Sequence, residues 1–147
     1  MVTKHLEDGV FGLIVGDALG VPAEFSSREE CEHNPVIGMR AYGTHNQPAG
    51  TWSDDSSMTL ATLDSIKQKG KIDYKDLMDK FTEWCLYADY TPFHEVFDIG
   101  VATSRAIIQY GKGTDPIDCG GKTEWDNGNG SLMRILPVCL YLYNRQK

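Results

Sequence analysis

Apolar residues recur at helical spacing near the start of the chain. Leu6, Val10, Leu13 and Ile14 fall on one face of a helix. A Gly-Val-Pro sequence follows and supplies a stop, because proline cannot continue a helix. The pattern therefore predicts a core-facing helix over residues about 4 to 19.

Three further helices are predicted in the middle of the chain, each from an acidic residue at its start. Asp54 or Asp55 caps the first, which Gly70 closes, Asp73 caps the second, and Asp98 caps the third. The second has the clearest amphipathic pattern in the chain, with apolar residues at Leu77, Met78, Phe81, Trp84 and Cys85.

The chain continues with a glycine-rich stretch and a final apolar segment. Residues 111–130 carry the glycines, and Pro137 marks a kink or the first turn of a second helical piece in the segment that follows. No run alternates between apolar and polar residues, and β-branched residues do not cluster. The sequence therefore predicts an all-α fold, and its 147 residues allow a single domain over residues 1–147.

Charge excludes one class of partner. The chain carries 14 Lys and Arg against 21 Asp and Glu, a net charge of −7, and its basic residues are dispersed. Because Lys and Arg supply most of the non-specific affinity for phosphate backbones, we expect no nucleic-acid partner.

Hydropathy and cysteine usage indicate a location. The longest apolar run near the start, residues 10–15, is far shorter than the ~20 residues that span a bilayer, so no membrane association is expected. Four cysteines without a CxxC pair could form two disulfides, but the chain starts without a secretory signal, which favours reduced thiols. We therefore expect a soluble cytoplasmic protein.

Two adjacent carboxylates stand among hydroxyl groups at residues 53–57. Ser53, Asp54 and Asp55 offer hard oxygen ligands, which suit Mg²⁺, Mn²⁺ or Ca²⁺ better than zinc. The same residues are typical of a helix N-cap, where acidic groups favour the positive end of the helix dipole. Both interpretations stay open, since one carboxylate can cap while its neighbour and Ser53 face a cation.

A second candidate is Glu24, which follows the first helix after a tight turn. A carboxylate just beyond a buried helix end can project into a cleft and act as a general base, or order a water. The alternative is that it binds free backbone amides or stays solvated. Among the histidines, His45 in the loop of residues 36–51 could line a pocket, although a lone loop histidine usually faces solvent.

Glycines also precede the final apolar segment, within residues 127–134. They permit close approach, and the free amides at the start of a following helix would favour a phosphate or pyrophosphate. An ordinary Asn-Gly turn before a helix is the alternative. Arg134 could hold a phosphate, pair with an acid or be structural.

Four motifs in this order resemble the ADP-ribosylglycohydrolase family, the group that includes the dinitrogenase reductase-activating glycohydrolases. They lie at residues 12–24, 50–58, 98–100 and 128–134, and Pro137 follows the last. The resemblance implies an all-α orthogonal helical bundle that hydrolyses the glycosidic bond between ADP-ribose and a protein side chain or small acceptor. The partner it implies is ADP-ribose or an ADP-ribosylated protein.

The resemblance also implies roles for individual residues. Members of the family bind a pair of Mg²⁺ or Mn²⁺ ions near the distal ribose of ADP-ribose. Ser53, Asp54 and Asp55 would then be metal ligands, and the two aspartates would act in catalysis together with Glu24, which orders substrate or water. The cradle for the pyrophosphate and ribose would consist of Gly128, Asn129, Gly130 and Ser131.

The resemblance covers only the family's N-terminal half. The later half carries an Asp-x-Asp-Thr segment that completes both metal sites, and no Asp-x-Asp occurs in this sequence. Two carboxylates and one hydroxyl give a cation about three of the ~6 ligands that it prefers. We interpret the chain as a hydrolase that needs acids from a missing segment or second chain. The alternative is a non-catalytic ADP-ribose-binding module or an inactive truncated relative.

A truncated bundle should leave apolar helix faces uncovered. Such faces are expected around Leu136, Leu140 and Tyr143 in the final segment. Because exposed apolar patches favour association, we expect a homo-oligomer or a complementing chain to cover them.

Overall fold

The computed structural model describes residues 2–146, and it describes side chains from residue 6 onward. Within this range the chain forms six α-helices and no strand, and one isolated bridge pairs Tyr42 with Gln47. The helices are α1 (Val2–Gly20), α2 (Arg28–His33), α3 (Asp54–Lys69), α4 (Tyr74–Tyr87), α5 (Val101–Gly111) and α6 (Leu136–Arg145). The predicted all-α fold class is confirmed.

Several helix ends lie where local sequence signals place them. Gly70 ends α3 in the left-handed conformation at φ +66°, which glycine adopts without steric cost. Asp73 begins α4, and its side chain accepts from the amide of Asp76 at 3.1 Å. Pro137 lies in the first turn of α6, one of the two positions predicted for it, where the missing proline N–H costs nothing.

The predicted cap of α5 is wrong. Gly100 holds the N-cap position, and Asp98 lies two residues earlier with φ +55°. The backbone turns sharply at Asp98, so its carboxylate leaves the start of α5 and lines a cavity.

Helix α3 lies at the centre of the fold and packs against α1, α4 and α6. Its buried face is rich in small polar side chains, namely Ser56, Ser57, Thr59, Thr62 and Ser65. Small side chains allow close packing of the neighbouring helices. At the start of α3, Asp54 is buried and Asp55 is half-buried.

The main apolar core joins α3, α4 and α5. The amphipathic face predicted for α4 packs here, and the buried members of the cluster are Met58, Ala61, Leu77, Met78, Phe81, Trp84, Ile107 and Cys119. At the far end of the chain, Leu142 and Tyr143 of α6 are exposed, whereas Leu136 and Leu140 are half-buried. None of the described helices combines the length and apolarity needed to cross a membrane.

Candidate active site

The start of α3 is held by a side chain from another helix. Asp17 of α1 accepts from the amides of Ser53 and Ser56, at 3.0 Å each to its Oδ2. It also accepts from both hydroxyl groups, at 2.7 Å from Ser53 Oγ and 2.6 Å from Ser56 Oγ. Asp17 thus caps the start of α3 from another helix. The prediction that Asp54 or Asp55 caps this helix is wrong, because both lie inside its first turn.

This cap sets what the first residues of α3 can do. The hydroxyl group of Ser53 donates a hydrogen bond to Asp17, so the lone pairs of its Oγ are free to bind a cation. Asp54 and Asp55 occupy the first turn of the helix and line a cavity of about 370 Å³.

Two chemically different groups of residues line this cavity, and each is described below as a wall. One wall is acidic and consists of Glu24, Asp54, Asp55 and Asp98. The other is formed by the glycine turn and by the N-terminus of α5, through Gly100, Val101, Ala102, Thr103, Gly128, Asn129 and Gly130. An acidic wall suits a hard cation, and a wall of glycines and helix amides suits a phosphate.

The acids at the start of α3 are partly or fully buried beside other carboxylates. Asp54 is only 4% exposed, and burial, followed by the charges of Asp55, Asp98 and Asp17, raises its pKa to about 7. The pKa of Asp55 is also raised, first by burial and then by the charges of Asp17 and Asp98. A divalent cation between these groups would relieve the repulsion that raises both values.

Glu24 lies beyond the end of α1, as its position in the sequence predicts, and lines the same cavity. Burial is the main cause that raises its pKa, and the charge of Asp98 adds to the effect. A hydrogen bond with His45, at 2.6 Å between Nε2 and Oε2, opposes it. His45 therefore does not face solvent, the usual place of a lone loop histidine; it stands behind a wall of the cavity.

The glycine turn differs from its predicted form. Residues 129–131 make a 3₁₀ turn rather than the start of a helix, and α6 begins only at Leu136. A Cβ atom on Gly130 would lie 2.5 Å from Thr103 Oγ1, so glycine is needed for the close approach of this turn to α5.

Helix α5, rather than α6, brings an N-terminus to the cavity. Its first internal hydrogen bond runs from the amide of Ser104 to the carbonyl of Gly100 at 2.9 Å. The amides of Val101, Ala102 and Thr103 therefore have no acceptor within the helix, which makes this end favourable for an anion. The Asp98-Ile99-Gly100 motif carried the signal in the sequence.

Arg134 lies behind the acidic wall. Its guanidinium lies 4.4 Å from the centroid of the Phe81 ring and donates to the sulfur of Met58 at 3.2 Å. Burial lowers its pKa to about 10, while the charge of Asp54 acts in the opposite direction. These contacts favour the structural role among the three left open by the sequence.

The structure brings together six of the eight site residues predicted from the sequence. Glu24, Asp54, Asp55, Gly128, Asn129 and Gly130 line the main cavity. Ser53 lines a neighbouring cavity together with Asp17, Glu24 and Asp55. Ser131 is exposed and lies outside the lining of both.

Sequence reasoning did not assign several residues that share this cavity. Asp98 comes from the segment that leads into α5, Thr103 and Arg105 belong to α5 itself, and Trp125 and Asp126 come from the glycine-rich stretch after it. Trp125 is 84% exposed, so its indole stands open to solvent at the cavity.

Comparison with known proteins identifies similar sequences. The sequence profile of the ADP-ribosylglycohydrolase family matches residues 4–147. The chain is 31% identical over 135 residues to the ADP-ribosylarginine hydrolase Tri1 of Pseudomonas putida (strain GB-1), covering 90% of this chain and 34% of that protein. It is 33% identical over 141 residues to the ADP-ribosyl-(dinitrogen reductase) glycohydrolase of Rhodospirillum rubrum, covering 88% and 42%.

These alignments use nearly all of this chain but a smaller part of the relatives. The chain spans between 34% and 42% of the length of the two named proteins.

Proposed function

Because this chain belongs to the ADP-ribosylglycohydrolase family, we propose that it takes part in the hydrolysis of the glycosidic bond between ADP-ribose and a protein side chain. The observation that supports this most is the pairing of an acidic wall with an amide-rich wall in one cavity. ADP-ribose needs both, because its diphosphate is an anion and its ribose hydroxyls can complete the shell of a hard cation.

Ser53, Asp54 and Asp55 would hold a Mg²⁺ or Mn²⁺ ion. Their oxygen donors fit these ions, and the raised pKa of Asp54 reflects its burial and the negative charges of Asp55, Asp98 and Asp17. A bound ion would polarise the attacking water and orient the ribose. Since these groups supply about three of ~6 ligands, water or acids from outside this chain would fill the rest, including those for a second ion.

The remaining roles fall to groups of this chain. Glu24 would accept a proton from the attacking water, a task that its raised pKa suits because a base works best near the operating pH. The amides at the start of α5 and the glycine turn would bind the diphosphate. The exposed indole of Trp125 would stack on the adenine.

The acceptor that we propose is arginine, because the relative from Pseudomonas putida is an ADP-ribosylarginine hydrolase. The test is release of ADP-ribose from an ADP-ribosylarginine peptide, with a serine-linked peptide alongside, by the full chain at high concentration with Mg²⁺. We expect release that chelation abolishes and that Asp55→Asn lowers at least tenfold. Asp89→Asn, which changes an exposed acid outside the cavity, is the matched control. Absence of release from both peptides would contradict the proposal.

A second candidate function is binding of ADP-ribose without hydrolysis. The site favours it, since Ser53, Asp54 and Asp55 supply about three of the ~6 ligands that a hard cation prefers, whereas the amide-rich wall lies within this chain. Calorimetry separates the two functions: a saturable heat of ADP-ribose binding without turnover of either peptide supports the binding module.

A further inference from the structure

The loop that precedes α3 is fastened to Glu24. Thr44 Oγ1 donates to the backbone carbonyl of Glu24 at 2.6 Å, and His45 Nε2 lies 2.6 Å from Glu24 Oε2. Gly43 lies against Pro22 at φ +63°, where a side chain would collide with the proline backbone. The loop thus contacts the carbonyl and the carboxylate of Glu24, and also the turn at Pro22 that precedes it.

The imidazole of His45 is itself held in place. Its ring centroid lies 5.9 Å from that of Phe25 and 5.2 Å from that of Phe97. Only 13% of the side chain is exposed. The amide of Tyr42 donates to the carbonyl of Gln47 and closes the loop. Because a ring with two aromatic neighbours and little exposure has few alternative rotamers, its Nε2 stays near Glu24.

Glu24 needs such a partner. One carboxylate oxygen of Asp98, one of Glu24 and one ring nitrogen of His45 lie within 4.8 Å of one another. Two carboxylates at this separation repel, and the Glu24 side chain is 36% exposed, so it has room to rotate toward solvent. A donor on Oε2 offsets the repulsion and removes that freedom.

We propose that His45 is a positioning residue that acts through Glu24, holding its carboxylate against the cavity by donating Nε2–H to Oε2. This role rests on the proposed function, in which Glu24 accepts the proton of the attacking water. His45 does not touch the substrate. Its contribution is to keep the base in one orientation, and misplacement of a catalytic group by about 1 Å can cost 10²-fold in rate.

The same three side chains could instead bind a transition metal ion. Two ligand atoms at about 2.05 Å from a tetrahedral ion stand about 3.3 Å apart. The 2.6 Å between His45 Nε2 and Glu24 Oε2 is much shorter and is a hydrogen-bond distance. The geometry therefore favours the direct contact over a shared ion.

The experiment measures kcat, KM and the Kd of ADP-ribose for three variants of the full chain with saturating Mg²⁺. We expect His45→Leu to lower kcat by 10- to 100-fold while the Kd changes less than about threefold. His45→Gln keeps an amide donor and should recover most of the loss. His33→Leu is the matched control, because His33 is an exposed histidine at the end of α2 and does not line the main cavity.

A double variant separates positioning from general damage. In a Glu24→Gln background the base is already lost, so adding His45→Leu should cost no further rate. An additive loss of rate in the double variant would overturn the inference. If the wild-type protein is active, an unchanged kcat in His45→Leu would overturn it as well. Zinc titration of the chelator-treated chain is a third test. Binding of one equivalent of Zn²⁺ by the wild-type protein, and of none by His45→Leu, would also overturn the inference.

The contact is also measured without turnover. In long-range ¹H–¹⁵N spectra the Nε2 resonance of His45 should shift in Glu24→Ala and stay in place in Glu29→Ala, an exposed acid on α2. This readout remains if His45→Leu does not fold. A wild-type protein that binds ADP-ribose, shows the shift and releases no ADP-ribose would refute the proposed function and the catalytic part of the role together. No shift with normal turnover would refute the positioning contact alone.

Discussion

The glycine turn offers a steric test of the anion-binding wall. A Cβ on Gly130 would lie 2.5 Å from Thr103 Oγ1, about 1 Å inside the ~3.5 Å of an ordinary contact. Thr103 is 5% exposed and has a short side chain, so it cannot swing away. Gly130→Ala must therefore push the turn from α5, and overpacking of this kind costs about 1–3 kcal/mol.

That displacement opens the wall that we propose binds the diphosphate. If half of the cost or more falls on the bound state, the Kd of ADP-ribose rises by at least about twofold at the lower end of this range and by at least about tenfold at the upper end, since 1.4 kcal/mol is a factor of ten. Gly128→Ala is the matched control, because its Cβ would meet the Cβ of Ala102 at 3.7 Å, an ordinary contact. Neither glycine has a positive φ, so the comparison isolates the clash from backbone strain.

Calorimetric titration of ADP-ribose into four proteins decides the matter: wild type, Gly130→Ala, Thr103→Ala and the double variant. We expect the double variant to bind as well as Thr103→Ala, because removing Oγ1 makes room for the added methyl group. Equal affinities of wild type and Gly130→Ala would refute the placement of the diphosphate at this turn. A loss that the double variant does not recover would refute the steric cause.

Three other predictions test the remaining parts of the site. Burial raises the pKa of Asp54 to about 7, so this group costs the metal-free protein about 4 kcal/mol of folding stability as the pH rises from about 4 to 7. Asp54→Asn should therefore raise the Tm more at pH 8 than at pH 4.5. An equal rise at both pH values would contradict the effect of burial on this carboxyl group. Trp125→Ala should weaken ADP-ribose binding about 5- to 100-fold and leave ribose 5-phosphate unaffected, whereas Tyr87→Ala, another exposed aromatic residue, should change neither. Asp17→Asn should lower the free energy of unfolding in urea by about 1–3 kcal/mol, because the asparagine side chain has one acceptor oxygen fewer for the donors at the start of α3. Asp8→Asn, which changes an exposed acid, should lower it by almost nothing.

Local signals in the sequence were sufficient for the helices. Asp73 and Gly70 act on amides and carbonyls within a turn of their own position, so their roles as cap and terminator follow from the chain alone. The amphipathic face of α4 was predictable for the same reason, since spacing along one helix decides which residues face inward.

Contacts between residues far apart in the chain could not be predicted from the local sequence pattern. Asp17 caps α3 from 36 residues away, which no spacing rule around α3 contains. Asp98 was expected to cap α5 because it is an acid before a helix, but its positive φ turns it into the cavity. The glycine turn was expected to open a helix directly, yet α6 begins only at Leu136, because a proline is tolerated in the first turn of a helix and not in its interior.

The candidate site shows the same division. The four motifs named most of its residues, but which acids and amides share one cavity depends on how distant segments of the chain pack together. His45 illustrates the limit most clearly: as a single histidine in a loop it carried no pattern, and only its contact with Glu24 in the folded chain gives it a role to test.

The most direct test asks whether a divalent cation and the diphosphate share the cavity. Mn²⁺ bound near ADP-ribose broadens its two ³¹P resonances, so the measurement compares ³¹P relaxation with wild-type protein and with the Asp54→Asn/Asp55→Asn variant. We predict strong enhancement with wild type and only the level of ADP-ribose with free Mn²⁺ for the variant. Equal relaxation in both samples, while ADP-ribose still binds to wild type, would contradict the account.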